Sequence, residues 1–198
     1  MKRHLIAFLA TAVVSVSAFA QSTPVEIVKN AVEGTVNAMK TDPGARSGDM
    51  AKITQVVEAR FLPATNFERT TRIAVGDAWK QATPQQQQEL YKQFKILMTR
   101  TYAASLAQLG SQDAKFSFRA GGAGGADALV QSTVTTPGDS QNVGYRLGKV
   151  DGDWRIYDID MSGAWLIQVY QGQFKSQLAQ GGIDGLIAFL TKHNARVN

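Results

Sequence analysis

Cysteine is absent from this 198-residue chain. That excludes disulfides, thiolate nucleophiles and thiolate metal sites, so the fold must be held by its core. Histidine is nearly absent too, with His4 close to the N-terminus and His193 close to the C-terminus. Nucleophilic catalysis needs a base beside its nucleophile, and a terminal histidine reads as a solvated residue rather than a base or a metal ligand. Neither catalysis, nor a metal, nor a cofactor is expected. Long apolar runs are missing as well. The longest, Leu5 to Val16, falls short of the ~20 residues that span a bilayer.

What that run does offer is an export signal. Lys2 and Arg3 precede it and Ala18-Phe19-Ala20 follows it as a small-x-small cleavage site, so residues 1–20 are expected to be removed on secretion. No cysteine stands where a lipid anchor would need one. Residues 21–198 are expected to form one soluble domain. Taking Lys2 and Arg3 from the 21 basic residues leaves 19 against 16 acidic ones, a net charge of +3 that is too small and too scattered for a nucleic-acid surface.

The first half reads as helical. Thr23-Pro24-Val25-Glu26 is a capping box opening a helix with Val25, Val28, Val32, Val36 and Met39 on one face, which ends before Asp42-Pro43-Gly44. Asp49 caps a second helix carrying Ile53, Val56, Val57 and Phe61, stopped by Pro63. Thr65 and Glu68 repeat the capping-box spacing before a short helix with Phe67, Thr70, Thr71 and Ala74. The longest helix starts at Pro84 after Thr83 and is expected to end at Gly110. It presents Leu90, Phe94, Leu97, Met98, Thr101, Tyr102, Ser105 and Leu109 at three- and four-residue intervals over roughly 39 Å at ~1.5 Å per residue.

Beyond Gly110 the period changes to two. Phe116 and Phe118 alternate, Gly121 to Gly125 reads as a flexible hairpin loop, and Val130, Ser132 and Val134 alternate in turn. Pro137-Gly138-Asp139 and Asp151-Gly152 are turn signals flanking Val143, Tyr145 and Leu147, and Trp154 to Met161 follows. These segments predict an antiparallel meander of about four strands. A helix with Leu166, Val169, Tyr170, Phe174 and Leu178 comes next, stopped by Gly181-Gly182, then a short one capped by Asp184, and Lys192 to Asn198 as a tail. The fold class is α+β, with several helices on one face of the sheet.

The glycine run lacks the lysine and hydroxyl residue of a phosphate-binding loop. Asp158 and Asp160, two apart on a strand, share a face and suit an acid/base or cation site, or simply the solvent face of a half-buried strand. The remaining signal is apolar: Phe94, Leu97, Met98, Tyr102, Val130, Val134, Tyr145, Leu147, Leu166, Val169, Tyr170 and Phe174, with Thr101 on the same helix face. By periodicity these either fill a close-packed core or line a ligand pocket.

Arg60-Phe61-Leu62-Pro63, Phe67, Gly76-x-x-Trp79, Phe94 and Tyr102 together resemble the MlaC family of periplasmic phospholipid-binding proteins, the auxiliary components of toluene-tolerance ABC transporters. Trp154-Arg155-Ile156-Tyr157-Asp158, Gly163, Leu166, Tyr170, Gln173-Phe174 and Gly182-Ile183-Asp184-Gly185-Leu186-Ile187 extend the similarity to the C-terminal half. The resemblance implies a highly curved sheet and a helical layer enclosing a deep pocket for acyl chains, lined by the thirteen side chains just named. It also implies a monomeric periplasmic carrier that moves phospholipid between an inner-membrane ABC transporter and an outer-membrane lipoprotein complex, maintaining outer-membrane lipid asymmetry. Trp165, Val169 and Gln171 depart from the family pattern, which carries polar or basic side chains there. Arg100 and Arg146 are the cations considered for a headgroup. The alternatives are a carrier of another lipid such as a hopanoid, an enzyme of the nuclear-transport-factor-2-like fold using Asp158 or Asp160 as base, and a partner protein with a filled core.

Overall fold

The computed structural model describes residues 22–124, 126–161 and 163–196; the expected export signal, residues 1–20, lies outside them. Helix α1 spans Pro24–Thr41, α2 Pro43–Arg46, α3 Met50–Arg60, α4 Phe67–Val75 and α5 Pro84–Ser111, with 3-10 turns at Leu62–Ala64 and Gly76–Gln81. Strands β1 Lys115–Gly124, β2 Asp127–Thr136, β3 Asp139–Val150, β4 Asp153–Met161 and β5 Ala164–Trp165 precede α6, Leu166–Arg196.

Local chemistry sets the helix starts. Thr23 and Thr83 form complete capping boxes with Glu26 and Gln86, and Asp49 accepts from the Ala51 and Lys52 amides. The cap of α4 is Asn66, whose side chain accepts from Arg69 N, and not Thr65, whose hydroxyl donates to Leu62 O. Gly110 does not stop α5. It is helical, and a Cβ there would lie 3.1 Å from Met39 Cβ, so glycine serves the close approach of α5 to α1. The Gly181-Gly182 stop is real in geometry: Gly182 has φ 61° and ψ −156° and kinks α6. The expected tail from Lys192 is helical as far as Arg196. Asn194 anchors it by donating to Gln93 O at 2.9 Å and Gln93 Oε1 at 2.8 Å.

The sheet is an all-antiparallel meander in the order β1-β2-β3-β4-β5. Asp151 at φ 51° and Gly152 at φ 91° make the type I′ turn between β3 and β4 that the Asp-Gly pair predicts. The glycine run is a strand end rather than a loop as far as Gly124; the register shifts between Ala120 and Gly122, leaving Gly121 as a bulge. A second shift pairs Arg146 with Asp158 but Leu147 with Ile156, so Tyr157 is the extra residue on β4. Bulges of this kind bend strands and re-aim side chains.

Three buried clusters hold the layers together. Ala74, Val75, Leu90, Phe94, Leu97, Tyr170, Phe174, Leu186 and Leu190 join α4, α5 and α6. Val28, Ala31, Val32, Val130, Tyr145, Leu147 and Ile156 join α1 to the sheet. Met39, Ile53, Val57 and Ala103 join α1, α3 and α5.

Candidate functional site

Where these clusters meet, the packing leaves a cavity. Its void, mouth included, is about 1080 Å³. Ligand pockets run to roughly 300–1,000 Å³, so this is a ligand-sized space and not a packing defect.

Helix α5 builds one wall with Met98, Thr99, Tyr102, Ala103, Ser105, Leu106 and Leu109. Positions 98, 102, 105 or 106 and 109 lie on one helical face. Leu90, Phe94 and Leu97, on the preceding turns, pack against α4 and α6. One long helix therefore serves a filled core with its first half and a cavity with its second. The opposite wall comes from the sheet through Phe116, Val134, Val143, Tyr145, Ile156, Tyr157, Asp158, Ile159 and Met161, and α1, α3 with its C-terminal cap Phe61, α4 and α6 close the ends with Val32, Val57, Phe61, Phe67 and Leu166.

Three of the hydroxyls around the cavity are occupied by hydrogen bonds within the protein. Thr70 Oγ1 donates to Tyr157 O at 2.7 Å, Tyr157 Oη donates to Asp127 Oδ2 at 3.0 Å, and the Tyr145 and Ser132 hydroxyls share a hydrogen bond of 3.2 Å. Burial pushes the Tyr145 phenol up to about 12. Burial, then the neighbouring Tyr170 hydroxyl, raises that of Tyr102, so both phenols are neutral at physiological pH. The cavity surface is mainly apolar although hydroxyl-bearing residues contribute to it.

Two clusters fasten the helices to the sheet. Arg69 of α4 makes paired hydrogen bonds to Asp127 at 3.1 and 2.9 Å while its guanidinium lies 3.6 Å over the Tyr157 ring. Gly148 admits it: a Cβ there would stand 2.0 Å from Arg69 Nη1. The second cluster centres on Asp158, which does not lie on a solvent face, since its side chain is 1% exposed. After the Tyr157 bulge its Oδ1 accepts from the Ile159 and Ile167 amides, both at 3.0 Å, and its Oδ2 accepts from Arg146 Nη1 at 3.1 Å. Burial raises its carboxyl above the ordinary range, against those hydrogen bonds. The residue weighed as an acid or base is thereby committed to pinning the start of α6 beside Leu166. Among the described residues no group of three or more His, Cys, Asp or Glu side chains is placed to hold a metal ion.

Of the thirteen side chains expected on the pocket wall, Met98, Tyr102, Val134, Tyr145 and Leu166 stand there. Phe94, Leu97, Tyr170 and Phe174 lie instead in the α4–α5–α6 core, and Val130 and Leu147 are fully buried under α1. Thr101 is exposed on α5, and Val169 is 40% exposed on α6. Arg100 bonds to Asn194 O at the C-terminal end of α6. Sequence reasoning missed the contributions of α1 and α3, Val32, Val57 and Phe61, although all three lay on the predicted apolar stripes. It also missed Ile156 and Ile159, which the β4 bulge turns to the same side.

The family model described as MlaC protein matches residues 29–192. The chain belongs to the MlaC family. A solved structure of a phospholipid-binding protein from Ralstonia solanacearum, in complex with a phospholipid, superposes with a TM-score of 0.83 at 37% identity, covering 89% of this chain and 99% of that one. The intermembrane phospholipid transport system binding protein MlaC of Haemophilus influenzae is 22% identical over 188 residues, which is 92% of this chain and 88% of the relative. Trp165, Val169 and Gln171, where the sequence was expected to depart from the family, lie outside the cavity wall. The Trp165 ring supports the Arg146 guanidinium at 3.7 Å, Val169 faces solvent, and Gln171 Nε2 donates to Ile73 O at 3.3 Å. Among the described residues no helix is long and apolar enough to cross a membrane.

Proposed function

We propose that this MlaC-family chain is a carrier that takes a phospholipid's acyl chains into the cavity between α5 and the sheet. The observation that carries the reading is a ligand-sized void walled mainly by apolar side chains from α5 and the sheet. Two acyl chains bring about 30 methylenes, and at ~0.8 kcal/mol each their exposure to water would cost roughly 24 kcal/mol. A carrier for such a molecule must offer burial comparable to a bilayer, and it needs no chemistry to do so.

In this reading residues 1–20 direct export, residues 21–198 act as a monomeric periplasmic domain, and an inner-membrane ABC transporter and an outer-membrane lipoprotein complex exchange lipid with it. The phospholipid bound to the Ralstonia structure and the similarity to the Haemophilus intermembrane phospholipid transport system binding protein support the cargo and the pathway. Met98, Tyr102, Val134, Tyr145 and Leu166 are the proposed lipid contacts from the original set, joined by Phe61, Val143 and Ile159.

The test is transfer of a fluorescent phospholipid between donor and acceptor vesicles kept apart by a membrane that only protein crosses. A transfer rate proportional to protein concentration is expected. Stable binding without transfer would replace the carrier reading by storage or sensing.

A further inference from the structure

The outer edge of β1 stands at one end of the strand order and pairs with β2 alone. No backbone hydrogen bond among the described residues ties it to any other segment. Lys115 to Ala120 run in unbroken register against Thr135 to Val130 before the Gly121 bulge. At ~3.3 Å per residue that is about 20 Å of regular, unpaired edge. Alternation places Lys115, Ser117 and Arg119 on the exposed face. Phe116 and Phe118 lie on the other face with their rings stacked 6.3 Å apart, and Phe116 is part of the cavity wall. The strand carries these two cations and no acid, and the ion pairs among the described residues all lie elsewhere.

We propose that the β1 edge is the docking site for an extended acidic segment of a partner protein, added to the sheet as a further antiparallel strand. In strand addition the main-chain hydrogen bonds supply affinity and the alternating side chains choose the partner. A second copy of this chain is disfavoured. Antiparallel pairing of two β1 edges about Ser117 sets Lys115 against Arg119 and Arg119 against Lys115, and like charges directly opposite repel. Charged edge residues are the usual means of keeping copies of a protein apart, and the same pair attracts glutamates and aspartates at alternate positions. The docked strand abuts Phe116, so partner recognition and the cargo cavity share a wall. The inference rests on the edge and its charge and stands independently of which lipid the cavity holds.

The probe is a capped peptide alternating valine and glutamate, titrated into the protein at low salt while amide hydrogen exchange is followed. Binding is expected with slowed exchange confined to β1. N-methylation of alternate peptide residues on the bonding edge abolishes it, and a Lys115→Glu/Arg119→Glu protein binds about tenfold or more weakly. Both substituted side chains are exposed, so that variant keeps its fold, checked by its unfolding midpoint. Equal affinity of the N-methylated peptide would overturn strand addition. Absence of binding at low salt, or protection elsewhere on the protein, would overturn the site. Self-association through β1 that survives the charge reversal would assign the edge to a second copy and overturn the acidic partner.

Discussion

Val143→Trp separates a cargo cavity from a filled core. Val143 is half-buried on β3 and its side chain forms part of the cavity wall. Tryptophan is well suited to a strand, so the backbone is not the target of the change. The indole adds about seven non-hydrogen atoms to a side chain already facing the void. If these take the place of about five methylenes of cargo at ~0.8 kcal/mol each, binding weakens by about 4 kcal/mol, or close to a thousandfold. The assay is titration with a fluorescent phospholipid, with the thermal unfolding midpoint recorded alongside. The reasoning predicts a near-native midpoint with affinity lost. Two other tryptophan variants calibrate it. Val169→Trp, on an exposed position of α6, leaves binding unchanged. Leu97→Trp, in the close-packed α4–α5–α6 core, destabilises the fold by about 1–3 kcal/mol through overpacking. A folded Val143→Trp protein that binds lipid within threefold of the native affinity would refute the placement of the cargo.

Gly148→Ala drives a methyl into Arg69 and displaces the α4 strut, so a loss of about 1–3 kcal/mol is expected in urea unfolding, and much less when Arg69 is already alanine. Asp127 is held below its ordinary range chiefly by the Arg69 hydrogen bond. Its contribution is therefore present above the unfolded-state carboxyl pKa and is lost as pH falls through the lower folded-state value. Asp127→Asn should flatten that acid limb of a stability-versus-pH curve. Asp158→Ala strands the Ile159 and Ile167 amides and is expected to cost about 2–4 kcal/mol by chemical unfolding. Asp158→Asn, which keeps an acceptor oxygen, should cost less.

The elements were legible because their signals are local. The Thr23 and Thr83 capping boxes, the Asp49 cap and the Asp151-Gly152 turn are settled by residues within a few positions of one another. Membership of the cavity wall is not local. Periodicity identified the apolar face of α5, but nothing in the spacing shows that its partner changes from α4 and α6 around Phe94 to open space around Tyr102. Ala103 and Ser105 mark where that change occurs, and small residues read equally well as close helix contacts. Asp158 was misplaced for a different reason. The extra residue Tyr157 sets it beside Arg146, on the face opposite Tyr145 and Ile159, and there the start of α6 covers it, with the amide of Ile167, nine positions along, bonded to its carboxylate. Gly110 and the glycine run misled in the same way, since glycine marks close approach and bulging as readily as it marks an end.

The most direct measurement is native mass spectrometry of the protein purified without detergent, followed by extraction and identification of what it carries. The account predicts a bound diacyl phospholipid on the native protein and its loss from folded Val143→Trp. A native protein that emerges empty, or loaded with a rigid polycyclic lipid in place of phospholipid, would contradict it.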